Sequence, residues 1–229
     1  HGFEAAGTKP CMAIGYTALV ALYALNLAFP SDLRFVMVWI VLVVMASMIY
    51  GFNVEERKLQ DMTATLLGVL YVVFFSFHIV LIDQTADSDL IWLVFLAAFG
   101  TDIMAYFVGM AIGKHKLCPH LSPKKSKEGA VGGVVITMLF NLAFFFIFDY
   151  FFFKNDTLKW WMIPGTSMFL SAISIGGDLS ASVIKRNFGA KDFGTIFPGH
   201  GGIMDRFDSY SFVMPTLYAL ISLVISLGA

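Results

Sequence analysis

Seven strongly apolar runs, at roughly 12–30, 35–52, 63–82, 90–113, 130–153, 161–184 and 210–228, leave the chain little choice of fold. Each is close to the about 20 residues an α-helix needs to cross a bilayer. Within hydrocarbon every backbone N–H and C=O must find its partner inside the structure, which a helix achieves within one segment. The fold expected is therefore all-α: a polytopic transmembrane helical bundle of about seven spans. A hydrophobic share of 58% and a mean hydropathy of +0.78 over 229 residues exclude an ordinary soluble domain. No internal repeat with a period of about 20–50 residues is evident.

The charges orient the bundle. Placing residues 1–10 on the cytoplasmic side brings loops 53–62, 114–129 and 185–209 to the same side. Of the fifteen Lys and Arg residues, twelve then lie there: Lys9, Arg57, Lys58, Lys114, Lys116, Lys124, Lys125, Lys127, Lys185, Arg186, Lys191 and Arg206. Only Arg34, Lys154 and Lys159 fall on the other side, as the positive-inside rule requires. The net charge of −1 says little by itself, and no nucleic-acid partner is expected. Cys11 and Cys118 both fall in cytoplasmic segments, so no disulfide is expected. The chain begins with His1 and lacks signal-peptide features, and the start of the natural chain is expected to be missing. Two regions are expected: residues 1–89 as an amino-terminal membrane region of three spans, and residues 90–229 as a catalytic membrane domain carrying loops 114–129 and 185–209.

The stretch from Gly176 to Ser209 concentrates charge in a chain where charge is scarce. If the preceding apolar run continues as a helix, Asp178, Ser182 and Lys185 share one face at i, i+4 and i+7, with Arg186 beside them. Gly189 stops that helix. Pro198-Gly199-His200-Gly201-Gly202 is a loop whose glycines let backbone N–H groups approach a bulky anion. Asp205 and Asp208 stand one turn apart at the start of the last apolar run, where a helix N-terminus attracts phosphate. Carboxylates on two elements, cations between them and a glycine loop suit a hard divalent metal holding a polyphosphate.

Two further features have both a structural and a functional reading. Asp102, inside the fourth span, costs about 2.5–3.5 kcal/mol to insert, so it either lines a polar cavity or makes a hydrogen bond to a neighbouring helix. Tyr106, Gly109 and Gly113 follow at helical spacing, and the two glycines would admit another helix closely. Loop 114–129 is either a solvated basic loop or a phosphate-binding arm carrying Lys124, Lys125 and Ser126. Its His115, Cys118 and His120 make a weak zinc pattern without a fourth ligand. His78 is expected to make a satisfied polar contact, and Asn141 a hydrogen bond between helices. Trp160 and Trp161 read as an interfacial anchor and the Phe-rich run 144–153 as lipid-facing bulk.

The central stretch resembles the signature of the phosphatidate cytidylyltransferases, the integral-membrane CDP-diacylglycerol synthases. The matching residues are Ser182, Lys185-Arg186, Lys191-Asp192, Pro198-Gly199-His200-Gly201-Gly202 and Asp205-Arg206-Phe207-Asp208. Upstream, Asp102, Ala105-Tyr106, Gly109, Gly113-Lys114, Ser122-Pro123-Lys124-Lys125-Ser126 and Glu128-Gly129 resemble the family's second block. The likeness implies conversion of CTP and phosphatidate to CDP-diacylglycerol and pyrophosphate, in the bacterial inner membrane with the site facing the cytoplasm. It implies that Asp178 and Asp205 are metal ligands for Mg2+, with a second cation such as K+, and that Asp178, Lys185, Asp205 and Asp208 form the catalytic group. It implies that Ser182, Arg186, Lys191, Asp192, His200, Gly201, Gly202, Arg206, Lys124, Lys125, Ser126 and Asp102 bind substrate. A homodimer is the implied assembly, membrane lipid the implied surroundings, and about two more helices ahead of the chain the implied context. An ether-lipid cytidylyltransferase, a CTP-dependent polyprenol kinase and, more remotely, a transporter are the alternative functions.

Overall fold

The structure, a computed structural model, describes residues 7–30, 34–85, 87–151, 157–187, 189, 192–193, 202 and 204–227. The chain divides into two compact units: residues 1–75 with 188–190, and residues 76–187 with 191–229.

In the first unit, α1 (Met12–Ala28) and α2 (Arg34–Tyr50) are 17-residue helices without an acidic or basic residue in their interiors. Their contact is fixed by Trp39, whose indole Nε1 donates to the Ala18 carbonyl at 2.8 Å while its ring is buried. α3 (Leu59–Gly68) starts where Asp61 accepts backbone N–H groups from Lys58 at 2.8 Å and from Lys9 at 2.5 Å. One carboxylate thus satisfies an orphan donor of the first helical turn and ties the residues ahead of α1 to it. A π-helical segment, Val69–Phe74, follows α3 and leads into α4 (Phe75–Asp83). Hydropathy carries no trace of such a change in hydrogen-bond register, so the sequence offers only an unbroken helix from 63 to 82.

The second unit takes in α4 from Ser76 onward and contains α5 (Ile91–Ile112), entered through a 3-10 turn at Ser88–Leu90, then β1 (Lys116–Cys118), β2 (Ser122–Ser126), α6 (Lys127–Phe151), α7 (Ile163–Asn187) and α8 (Met204–Ser226). Among the described residues five helical runs are long and apolar enough to cross a membrane: Leu59–Asp83, Ser88–Ile112, Lys127–Phe148, Ile163–Asn187 and Met204–Ser226. With the two shorter apolar helices they match the seven expected runs in order, and the chain is an all-α membrane protein.

Three local features differ from the sequence expectation. Loop 114–129 contains an antiparallel hairpin, with Lys116 opposite Ser126 and Cys118 opposite Ser122. Nothing in a run of lysines, serines and prolines gives the period-2 apolar signal of a strand, so the hairpin is invisible to patterning. α8 begins at Met204 rather than at 210, because a helix continues through charged residues beyond the apolar run that marks it. Phe145 is buried in the core, whereas Phe146 is exposed as a lipid-facing residue would be. The Phe-rich run therefore serves both surfaces.

α5 and α6 meet through small residues. A Cβ added at Gly133 would lie 2.8 Å from the Ala105 Cβ and 2.9 Å from the Ala105 amide nitrogen, so only glycine permits this approach. That is the close packing small residues allow between helices in lipid. α6 and α7 are joined by the buried Asn141, whose Nδ2 donates to the Ser167 hydroxyl at 2.6 Å. On α8, Tyr210, Val213, Leu217 and Ile221 face the core together with Leu93, Val94 and Ala97 of α5. His78 is buried with its ring edge-on to Tyr218 at 5.6 Å. Trp160 and Trp161 are exposed. At the end of this unit away from the hairpin, the Thr157 amide donates to Asp87 at 2.9 Å.

Candidate active site

Three helices of the second unit bring carboxylates to one end of the bundle. Asp178 sits on α7, Asp205 and Asp208 on α8, and Asp102 on α5; together they line one cavity of about 510 Å3 with Arg206. Asp102 and Asp178 also line a larger cavity, of about 600 Å3, whose other walls include Tyr106, Met110 and Ile175 and the basic Lys116, Lys124 and Lys125. A third cavity, of about 240 Å3, is lined by Lys124, Ser182, Lys185, Arg186 and Asp192. The first two share Asp102, Tyr106 and Asp178, and the second and third share Ser122 and Lys124, so the three adjoin.

α7 delivers Asp178, Ser182 and Lys185 on one face because its helix runs unbroken to Asn187; Gly189, at φ +64°, follows it. Lys185 and Arg186 fall in its last turn, where the helix dipole favours cations. The Lys185 ammonium reaches across to α8, 3.0 Å from Asp205 Oδ1 and 3.4 Å from Asp208 Oδ2. Side-chain exposures of 11% for Lys185, 6% for Asp205 and 7% for Asp208 make this a nearly dry triad. The other oxygen of Asp205 accepts the backbone N–H groups of Phe193 at 2.8 Å and Gly202 at 2.9 Å. Asp205 therefore binds the segment between α7 and α8 at two of its described residues.

Asp102 answers to both of its readings. It lines two cavities, and its Oδ2 accepts a hydrogen bond from the Ser209 hydroxyl of α8 at 3.1 Å. Asp178 is ion-paired with Lys125 of β2, which carries the basic arm to the carboxylates. Beside it, the Ser126 hydroxyl accepts the Gly129 amide at 3.1 Å, so this buried serine caps α6 while also lining the larger cavity. A Cβ at Gly109 or Gly113 would come within 2.9 Å or 2.6 Å of that hydroxyl. Glu128 completes the anchor, accepting the amide of Lys114 at 3.1 Å and contacting His115 Nδ1 at 2.6 Å.

Of the residues singled out in the sequence, Asp102, Asp178, Asp205, Asp208, Arg206, Lys124, Lys125, Ser126, Ser182, Lys185, Arg186 and Asp192 line these cavities, and Gly202 contacts Asp205. Lys191, His200 and Gly201 lie outside the described residues. Sequence reasoning passed over Ser209 as the partner of Asp102, and Glu128 as the clamp on the hairpin. A small hydroxyl next to Asp208 and an acid at the second position of a helix are signals too common to stand out alone.

The donor set suits a hard cation. The carboxylates supply oxygen ligands only, and Mg2+ is ordinarily held by one or two carboxylates with substrate phosphates completing its shell. Among the described residues no three His, Cys, Asp or Glu side chains are grouped tightly enough to cage a metal without such help.

Residues 4–224 match the cytidylyltransferase family. The chain is 36% identical over 186 residues to a phosphatidate cytidylyltransferase of Staphylococcus aureus (strain COL), an overlap of 79% of this chain and 68% of the relative. It is 41% identical over 175 residues to the Bacillus subtilis (strain 168) protein of the same name, covering 75% of this chain and 61% of that one. To the Staphylococcus haemolyticus (strain JCSC1435) phosphatidate cytidylyltransferase it is 35% identical over 170 residues, 74% and 61% of the two chains.

Proposed function

The chain belongs to the cytidylyltransferase family, and from that premise we propose that it is a phosphatidate cytidylyltransferase, converting CTP and phosphatidate to CDP-diacylglycerol and pyrophosphate. The observation that carries the reading is the meeting of four aspartates from three helices with lysines and arginines from the same end of the bundle, in a cavity set that adjoins apolar walls. A phosphate of a membrane lipid and a soluble triphosphate need such a boundary.

In this reaction a phosphatidate oxygen attacks the α-phosphorus of CTP, the bond from that phosphorus to the β-phosphate oxygen breaks, and pyrophosphate leaves. The nucleophile is already an anion, so the obstacle is repulsion between two anions and the charge gathering on the leaving group. Fixed cations address both, and holding the reactants in line supplies much of the remainder. Lys124 and Lys125 from β2, with Lys185 and Arg186 from α7 and Arg206 from α8, are the cations assigned to the phosphates. Ser182, Asp192 and Gly202 shape the nucleotide side, and Lys191, His200 and Gly201 join them on grounds of sequence. Ser126 positions the basic arm as the α6 cap, and Asp102 lines the cavity while gripping α8 through Ser209.

Asp178 and Asp205 would hold Mg2+, with Asp208 beside them, and a second cation such as K+ belongs to the same reading. When bound, Mg2+ would neutralise phosphate charge and favour departure of pyrophosphate. The concentration of twelve of fifteen Lys and Arg residues on one side supports a site facing the cytoplasm of a bacterial inner membrane. A homodimer is the assembly we assign to it.

A substrate panel tests the lipid. With labelled CTP, phosphatidate is expected to give CDP-diacylglycerol, while polyprenol gives no product. A phosphorylated polyprenol without any CDP-lipid would overturn the assignment.

A further inference from the structure

We infer that Lys125 is a built-in counter-ion: in the substrate-free protein its ammonium holds the Asp178 carboxylate, and it releases that carboxylate to a divalent cation when it moves onto a substrate phosphate. The inference rests on the reading of Asp178 as a cation ligand given above.

Two lysines of the site, Lys185 and Lys125, are held in unlike ways. Lys185 is gripped by two carboxylates and is only 11% exposed. Lys125 is held by Asp178 alone among the described residues, and the two side chains remain 25% and 22% exposed. Lys185 is embedded; Lys125 can leave.

The backbone under Lys125 is fixed while its side chain is not. Ser126, the next residue, is buried as the α6 cap, and Glu128 pins the start of the hairpin through Lys114 and His115. From that anchor a lysine stem of four carbons can re-aim its ammonium over several ångströms. The space it would sweep is the cavity of about 600 Å3 that it lines together with Lys116, Lys124 and Asp178. A phosphate entering there meets three lysines, and each has reason to turn towards it.

An ammonium and a divalent cation on one carboxylate repel each other at close range; at Asp205 the second carboxylate of the triad, Asp208, offsets that charge, whereas Lys125 pairs with Asp178 alone among the described residues. With Lys125 in place, Asp178 is already neutralised and a cation gains little from it. Once phosphate charge draws Lys125 away, the carboxylate is bare and the cation binds. Phosphate and cation therefore bind cooperatively, and the coupling is reciprocal. Asp178 stays neutralised in the empty site, which keeps the intramembrane charge covered between turnovers.

Mn2+ added alone to the detergent-solubilised protein and followed by electron paramagnetic resonance tests the exchange without relying on turnover. Lys125→Met is expected to bind Mn2+ about tenfold tighter than the wild type or more. Lys125→Arg, which keeps the pairing, is expected to stay near wild type, and Lys125→Met with Asp178→Asn is expected to lose the whole gain. Lys125→Gln replaces Lys125→Met if the latter fails to fold. Equal or weaker Mn2+ binding by the Lys125 variants, with Asp178→Asn weaker than wild type, overturns the exchange and leaves Asp178 as a ligand. Mn2+ binding unaffected by Asp178→Asn in either background removes the ligand reading, and the exchange falls with it.

Discussion

Asp178→Asn is expected to lower CDP-diacylglycerol formation by about 10³-fold while leaving the bundle folded. The substitution keeps the shape of the side chain but removes the negative charge that faces both the acidic and the basic cavities. It also leaves the Lys125 ammonium without its ion-pair partner. Because both side chains are more than a fifth exposed, solvent covers much of that loss, and stability should change by no more than about 1 kcal/mol. The variant therefore separates chemistry from folding. Labelled CTP turnover and thermal unfolding of the same preparation read the two effects, and near-wild-type turnover would remove Asp178 from the machinery.

Lys185→Met is expected to act on both. Lys185 bridges Asp205 and Asp208 in a nearly dry setting, and a methionine of similar length would leave two buried carboxylates facing each other without a cation. Removing one partner of a buried ion pair costs about 3–5 kcal/mol, since the remaining charge keeps its desolvation penalty. Asp205 also gathers the amides of Phe193 and Gly202, so its displacement should loosen the segment between α7 and α8. A clear fall in melting temperature in detergent is expected, with CTP turnover lost. Lys185→Arg should recover much of the stability. An unchanged melting temperature for Lys185→Met would mean that the triad carries no structural load.

Both effects trace back to features legible in the chain before any coordinates. In a bilayer the solvent itself sorts residues, so seven apolar runs mark the helices in order, and a polar residue inside one of them must have a reason to be there. Asp102 stands out on that ground, and Asp178, Asp205 and Asp208 as part of the charged stretch from Gly176 to Ser209; all four meet in one cavity. Helical spacing was enough to put Asp178, Ser182 and Lys185 on one face of α7. What hydropathy does not encode is geometry that depends on a few hydrogen bonds. The hairpin at 116–126 is held by strand pairing and by Glu128, the π-helical segment Val69–Phe74 by a register change, and the start of α3 by one carboxylate, Asp61. Ser126 shows the same limit from another side. Its place in a basic loop suggests phosphate binding, and it lines the larger cavity, but nothing in the loop's composition announces that its hydroxyl also caps α6 against Gly109 and Gly113.

The central claim is that carboxylates from separate helices grip a cation so that a nucleotide triphosphate can meet a lipid phosphate. Its most direct test is the rate of CDP-diacylglycerol formation from CTP and phosphatidate by the purified protein in lipid, measured while Mg2+ is withdrawn with a chelator and then restored. Turnover is expected to fall to background without the metal and to return when it is added back. Turnover that continues undiminished in the metal-free mixture would contradict that claim.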